Sequence, residues 1–143
     1  MQRQPWGDTL SWDVALGHRP PEMRGEVSGR FDEHGVAAEL VKTVLDDCGD
    51  SLYAAARSGD RDWADRFGGP LAAALLAAEV SSLAAHLNSR ASAVRALAVD
   101  ALLDEFSAVT VASRLGVSRQ KVYEIGRGTS IGPYINLVPW RQK

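Results

Sequence analysis

The positively charged side chains of this chain are concentrated at its carboxyl-terminal end. Residues 107–143 hold six Lys and Arg against the single acid Glu124, a net charge of +5, whereas residues 1–106 hold 10 Lys and Arg against 17 Asp and Glu, a net charge of −7. A positive field confined to one region can attract a polyanion although the whole chain of 143 residues carries −2. Residues 107–143 are therefore where a polyanion-binding surface is expected.

Side chains suited to catalysis or metal binding are few. Cys48 falls on the apolar face of a predicted helix, which favours a buried, unreactive thiol. The acidic residues between Asp46 and Asp50 are typical of a solvated helix surface. The three histidines lie in separate predicted elements without a carboxylate or Cys at ligand spacing: His18, His34 and His86. We therefore expect no enzyme activity, no metal site and no cofactor.

Two short helices joined by a tight turn are predicted to carry the basic region. Ser107 is placed as the N-cap of the first helix, in which Val111, Ala112 and Leu115 form the inner face. Gly116 then ends this helix, because glycine readily takes the left-handed conformation that turns the chain. A small side chain at position 112 lets the two helices approach closely.

The second helix is predicted to begin after Ser118, which is placed as its N-cap. Val122 and Ile125 share its inner face. The residues left facing away are Arg119, Gln120, Tyr123 and Glu124, with Arg127 at the helix end. The geometry implied is a helix-turn-helix.

The spacing of these positions resembles that of the bacterial helix-turn-helix family of DNA-binding proteins. That family places a small residue, then Gly four positions later, a hydrophobic residue, Ser and two aliphatic residues, which here are Ala112, Gly116, Val117, Ser118, Val122 and Ile125. Residues 112–123 look like the form shared by many repressors, resolvase carboxyl-terminal domains and sigma-factor DNA-reading regions. The resemblance covers about 21 of the 143 residues, 107–127, and so identifies a module and not a protein.

The resemblance implies that helix 119–125 enters the major groove of double-stranded DNA. Arg119 suits guanine O6 and N7 and Gln120 suits adenine N6 and N7, because each can make two hydrogen bonds there. Tyr123 would contact a phosphate or a thymine methyl, and Glu124 would accept from cytosine N4 or repel wrong registers. The implied base-reading positions are Ser118, Arg119, Gln120, Tyr123 and Glu124. The implied phosphate-binding positions are Thr110, Arg114, Lys121 and Arg127.

The remaining sequence predicts an all-α protein: a small helical bundle with an irregular amino-terminal arm over residues 1–34 and a short extended tail. A short strand is expected in the arm around Glu26 to Phe31. Trp6 and Trp12 are expected to anchor the arm by packing on the parent domain or on a partner, with stacking on nucleic acid as the alternative. Residues 35–106 form an acidic dimerisation or partner region with predicted helices at 35–57, 70–88 and from Ser89 or Ser92 to 106. Residues 107–143 form the DNA-binding region, whose apolar tail would pack back on the bundle or exchange with a second protomer.

Localisation is expected to be cytoplasmic, and nucleoid-associated when the protein is bound to DNA. The richest apolar stretch, Leu71 to Ala78, is closed off by Glu79, and the amino terminus lacks the apolar segment of a secretory signal. Alanine is abundant and Arg outnumbers Lys thirteen to three, a bias typical of a bacterial genome. No membrane partner is therefore expected.

The resulting expectation is a sequence-specific transcriptional regulator, a repressor, that binds DNA as a homodimer on half-sites about 34 Å apart. Two alternatives stay open. An antitoxin, or a phage or recombination accessory protein, would bind a protein partner through residues 1–106. A sigma-like regulator would act as a monomer, so oligomeric state separates it from the homodimer.

Overall fold

The computed structural model describes residues 11–127, and this part of the chain contains seven α-helices and no β-strand. The predicted all-α class is confirmed. The helices are α1 (Trp12–Ala15), α2 (Pro21–Glu33), α3 (Ala38–Asp46), α4 (Asp50–Arg57), α5 (Pro70–Leu103), α6 (Ala108–Leu115) and α7 (Arg119–Gly126), with a 3-10 helix at Asp65–Phe67. The predicted tail over 129–143 lies outside the described residues.

The chain divides into two compact units, whose described parts are residues 11–85 and 86–127. The division falls inside α5 and not after Phe106, where the charge changes sign. The reason is visible in the second unit, where Val99 on α5 is buried in the same cluster as residues of α6 and α7. The last turns of the acidic region thus supply part of the core beneath the basic region.

The prediction of an irregular arm is wrong for residues 12–15 and 21–33, which form α1 and α2, and the strand expected around Glu26 to Phe31 is part of α2 instead. Pro21 begins this helix at a position where its missing N–H costs nothing. Val27 and Phe31 are its two buried residues and lie one turn apart. Gly25 and Gly29, which are poor helix formers, obscured this short pattern in the sequence.

Trp12 makes an aromatic stack within the segment that was predicted as the arm, and Trp6, the other predicted anchor, lies outside the described residues. The ring of Trp12 lies 5.8 Å from that of Phe31, with an interplanar angle of 14°. Ser11 caps α1, because its Oγ accepts a hydrogen bond from the backbone N–H of Asp13 at 3.0 Å. The stack therefore ties α1 to α2.

The single helix predicted over residues 35–57 is broken into α3 and α4. Cys48 and Gly49 both take left-handed conformations, with φ of 59° and 82°. The Asp47 carboxylate accepts hydrogen bonds from the backbone N–H groups of Gly49 and Ser51 at 2.9 and 3.1 Å, which satisfies the start of α4. The expectation of a buried thiol is wrong, because this turn leaves Cys48 exposed.

The predicted stop near residue 88 is also absent, and α5 continues for 34 residues. By length and composition alone it could cross a membrane, with a mean hydropathy of 1.4 in its most apolar window, of which 28% is buried. The prediction that Glu79 closes off the apolar stretch is therefore wrong by this measure, because the helix continues past it and stays apolar. One helix of this kind is weak evidence for a membrane span, since the core helix of a soluble protein can have the same length and apolar composition.

An ion-paired cluster joins α5 to the segment after α1 within the first unit. Arg19 donates to both carboxylate oxygens of Glu79, at 2.8 and 2.9 Å, and His18 Nε2 lies 2.6 Å from Glu79 Oε2. Burial alone would raise the pKa of Glu79, but the hydrogen bonds from His18 and Arg19 and the charge of Arg19 outweigh it, so the pKa lies below its usual value. The hydrogen bond to Glu79 in turn raises the pKa of Arg19.

Candidate nucleic-acid interface

The second unit is built on one apolar cluster to which three helices contribute. Val99 comes from α5, the next members from α6 and the last two from α7: Val99, Ala108, Val111, Ala112, Val122 and Ile125. Val122 is fully buried, and Leu102, Leu103 and Val117 pack around the cluster. This core holds α6 and α7 against each other and fixes which side of each helix is exposed.

The turn between α6 and α7 has the geometry that the sequence predicts. Gly116 ends α6 with φ 69° and ψ 34°, the left-handed region that glycine enters without steric cost. The N–H of Val117 donates to the carbonyl of Ala112 at 3.1 Å. Val117 is half-buried against the core. The turn therefore spans only the residues between Leu115 and Arg119.

Both helices of this pair begin at a serine cap. The Oγ of Ser107 accepts from the N–H of Thr110 at 3.1 Å, and the Oγ of Ser118 accepts from the N–H of Lys121 at 3.0 Å. Each bond satisfies an amide that the first turn of a helix leaves without an intrahelical partner. The two predicted caps are thus confirmed, and they set where α6 and α7 start.

The outward face of α7 gathers five of the predicted site residues. At about 100° per residue, the positions of Arg119, Gln120, Tyr123, Glu124 and Arg127 fall within an arc of about 140°, opposite the buried positions 122 and 125. All five are exposed, and Tyr123 is 53% accessible. This face can present guanidinium, amide and phenol donors together to one ligand.

Charges beside that face are partly engaged with neighbours. The Nζ of Lys121 lies 4.0 Å from Oε1 of Glu124, a loose pair in which both side chains are nearly half exposed. The guanidinium of Arg114 lies 5.7 Å from the ring of Phe106, an aromatic contact that supports its position. Such weak surface contacts cost little to exchange for a phosphate.

The other two predicted positions are placed differently. Ser118 lies at the start of α7 and not on its outward face, and its Oγ acceptor is used by the helix cap. The hydroxyl can still donate. Thr110 is half-buried on α6, and its Oγ1 accepts from the Oγ of Ser107 at 3.0 Å. Its own hydroxyl proton likewise remains available to an acceptor such as a phosphate.

Three features of this unit were not anticipated from the sequence. One is that α5 contributes Val99, Leu102 and Leu103 to the apolar core behind α6 and α7. The apolar spacing of these three residues could have indicated this contribution. Another is Gly126 in the last turn of α7, where an added Cβ would lie 3.8 Å from side-chain atoms of α5. The third is the support of Arg114 by the half-exposed ring of Phe106, for which the sequence carries no clear signal.

Residues 11–127 contain no group of three or more His, Cys, Asp or Glu side chains that could hold a metal ion. The carboxylates of Asp46 and Asp47 are instead used in an ion pair with Lys42 and in the cap of α4. No protein-family model matches the chain, and comparisons with curated proteins and with solved structures find no match either. The site is therefore argued from its own geometry.

Proposed function

We propose that this protein is a sequence-specific, double-stranded DNA-binding transcriptional regulator, a repressor, whose helix α7 reads the major groove. The observation that carries the proposal is the exposed face of α7, where Arg119, Gln120 and Tyr123 stand together on a helix fixed from behind by a buried core. Arginine and glutamine are the side chains that pair in a bidentate manner with guanine and adenine. Their place at the start of the helix suits a recognition helix.

The basic residues around this face supply the sequence-independent part of the proposed binding. Arg114, Lys121 and Arg127 are exposed, and the only acid in residues 107–143 is Glu124. A helix pair serving merely to cap a bundle would have no need of this grouping of donors and cations. Phosphate contacts of this kind position a protein on the duplex without reading its sequence.

The proposed DNA complex contains two copies of the chain. One recognition helix covers too few base pairs to specify a long site, and a homodimer on an inverted repeat would place two half-sites about 34 Å apart. The protein would work in the cytoplasm, associated with the nucleoid. An antitoxin or recombination accessory factor that binds a partner through residues 1–106 is the competing function, favoured by the excess of acids there.

Selection from random duplex DNA tests the proposal directly. Wild type is compared with an Arg119→Ala, Gln120→Ala variant and with Arg95→Ala, which removes one positive charge from an exposed position of α5 in the same unit. We expect a palindromic sequence to be enriched by wild type and Arg95→Ala and lost in the α7 variant. Mass measurement of the DNA complex in solution distinguishes two protomers from the single protomer of a sigma-like regulator.

Two outcomes would contradict the proposal. Enrichment of the same sequence by wild type and the α7 variant would mean that another surface reads the DNA. No enrichment, or only a salt-sensitive background common to all three proteins, would mean that this helix pair reads no sequence, and capture of protein partners through residues 1–106 would become the informative experiment.

A further inference from the structure

We propose that a groove in the first unit binds a lipophilic organic cation. The groove has a volume of about 610 Å³ and lies between α4 and the first half of α5. Its lining residues are Leu52, Tyr53, Trp63, Ala73, Ala77 and Val80, with Asp50 at the start of α4 and five others. Pockets for small organic ligands usually measure about 300–1,000 Å³ and are mostly apolar with a few polar groups.

The walls of the groove are mostly apolar, and part of them is packed against the rest of the unit. Leu52 and Ala73 are buried, and Val80 is half-buried against the turn that starts α4. At that turn an added Cβ on Gly49 would lie 3.2 Å from Val80, so backbone and side chain already meet at close range. A groove bounded by such packed residues offers a ligand a preformed surface, which lowers the ordering cost of binding.

The aromatic residues suit a cation. Trp63 is half-buried and lines the groove together with the exposed ring of Tyr53. The Tyr53 ring already attracts one cation, the guanidinium of Arg57 at 5.9 Å, which does not line the groove. Indole is the side chain that attracts a cation most strongly through its ring face. An aromatic cation could therefore stack on Trp63 and bury its apolar parts among the alanines.

Charge complementarity favours an organic cation over an anion or a second copy of this chain as the ligand of the groove. Asp50 is the one charged side chain among the lining residues, and residues 11–85 hold 13 Asp and Glu against 7 Lys and Arg, a net charge of −6. The field attracts cations and repels anions. It also disfavours a second copy of this acidic unit, because two such faces would bring like charges together.

Two probes of nearly equal size and opposite charge test the proposal. Tetraphenylphosphonium and tetraphenylborate are titrated into the whole protein by calorimetry, without DNA, so that the result is independent of the proposed DNA binding. Ala77→Trp fills the groove, and Ala78→Trp is the matched control, since both positions are exposed on α5 but residue 78 does not line the groove. Circular dichroism verifies that both variants fold.

We expect the phosphonium to bind at least tenfold more tightly than the borate at the site that Ala77→Trp abolishes and Ala78→Trp leaves intact. Asp50→Asn should weaken the phosphonium about threefold, as for a solvent-exposed charge pair. Equal binding of the two probes at that site, or phosphonium binding that Ala77→Trp leaves unchanged, overturns the proposal. The proposal is also overturned if wild type does not bind the phosphonium and Ala77→Trp differs from wild type in its mass in solution. That result would mean that the groove is an interface between two copies of the chain.

Discussion

Removing the charge of the buried Glu79 carboxylate should strongly lower the unfolding free energy of the protein. The Glu79 side chain is 3% exposed and accepts two hydrogen bonds from Arg19 while contacting His18. Glu79→Gln keeps the shape but removes the charge and turns an amide N–H₂ toward groups that need an acceptor. Breaking a buried ion pair by removing one partner costs about 3–5 kcal/mol, and we take the lower end, about 3 kcal/mol, because Arg19 is 21% exposed.

Thermal unfolding monitored by circular dichroism measures this loss against a matched surface pair. Lys42 and Asp46 are also 2.8 Å apart, but their side chains are 23% and 37% exposed. Asp46→Asn should therefore cost only about 0.5 kcal/mol. A loss of about 3 kcal/mol lowers the Tm of a chain of this size by about 10 °C. Equal shifts for the two variants would refute the reasoning that burial makes the Glu79 cluster strong.

The pH dependence supplies an independent check with a definite sign. The pKa of Glu79 is lowered in the folded protein, so its contribution is fully present above its usual value of 4.5 and is lost as the pH falls through the lower folded-state pKa. The difference in unfolding free energy between wild type and Glu79→Gln should shrink as the pH falls below 4.5 and through the folded-state pKa of Glu79. A difference that stays constant down to strongly acidic pH would contradict this assignment.

Three further predictions concern glycines, charge and capping. Gly25→Ala and Gly29→Ala should each raise the unfolding free energy by about 0.5–1 kcal/mol, because both lie in α2 with open space for a Cβ. Gly35→Ala should lower the unfolding free energy, because the backbone there has a φ of 72°, which a residue with a Cβ adopts only with strain. Chemical denaturation measures all three. If three cations per protomer contact phosphates in a dimeric complex, the slope of log affinity against log salt concentration should be about −5. Lys121→Ala removes one cation from each protomer and should reduce the magnitude of this slope by about 2 when DNA binding is titrated at several salt concentrations. An unchanged slope would show that Lys121 does not contact a phosphate. Ser118→Ala should cost about 1 kcal/mol of stability through the lost N-cap, and no change in the denaturation midpoint would show that the 3.0 Å bond contributes nothing.

The second unit was predictable from sequence because its signals are local. A serine that caps a helix acts on an amide three residues away, and Gly116 turns the chain by its own backbone freedom. The alternation of inner and outer positions in α7 follows from helix geometry alone. Residues within about ten positions of one another therefore determine the turn, its two caps and the exposed face.

The first unit was harder because its decisive contacts are distant in sequence. Arg19 and Glu79 are 60 residues apart, and no local sequence pattern predicts that they form an ion pair. The left-handed turn at Cys48 and Gly49 interrupts an apolar periodicity that otherwise continues from α3 into α4, and Val80 packs against it from α5. Sequence periodicity reports which residues are apolar, and it does not report where tertiary packing stops a helix.

Charge and packing divide this chain at different places, and the difference bears on how the proposed DNA-binding region is built. The net charge changes sign after Phe106, but the core beneath α6 and α7 includes Val99, with Leu102 and Leu103 beside it. A surface field depends on exposed residues near it, whereas the orientation of a helix depends on what is buried behind it. The face of α7 therefore takes its charge from residues after 107 and its orientation partly from the end of α5.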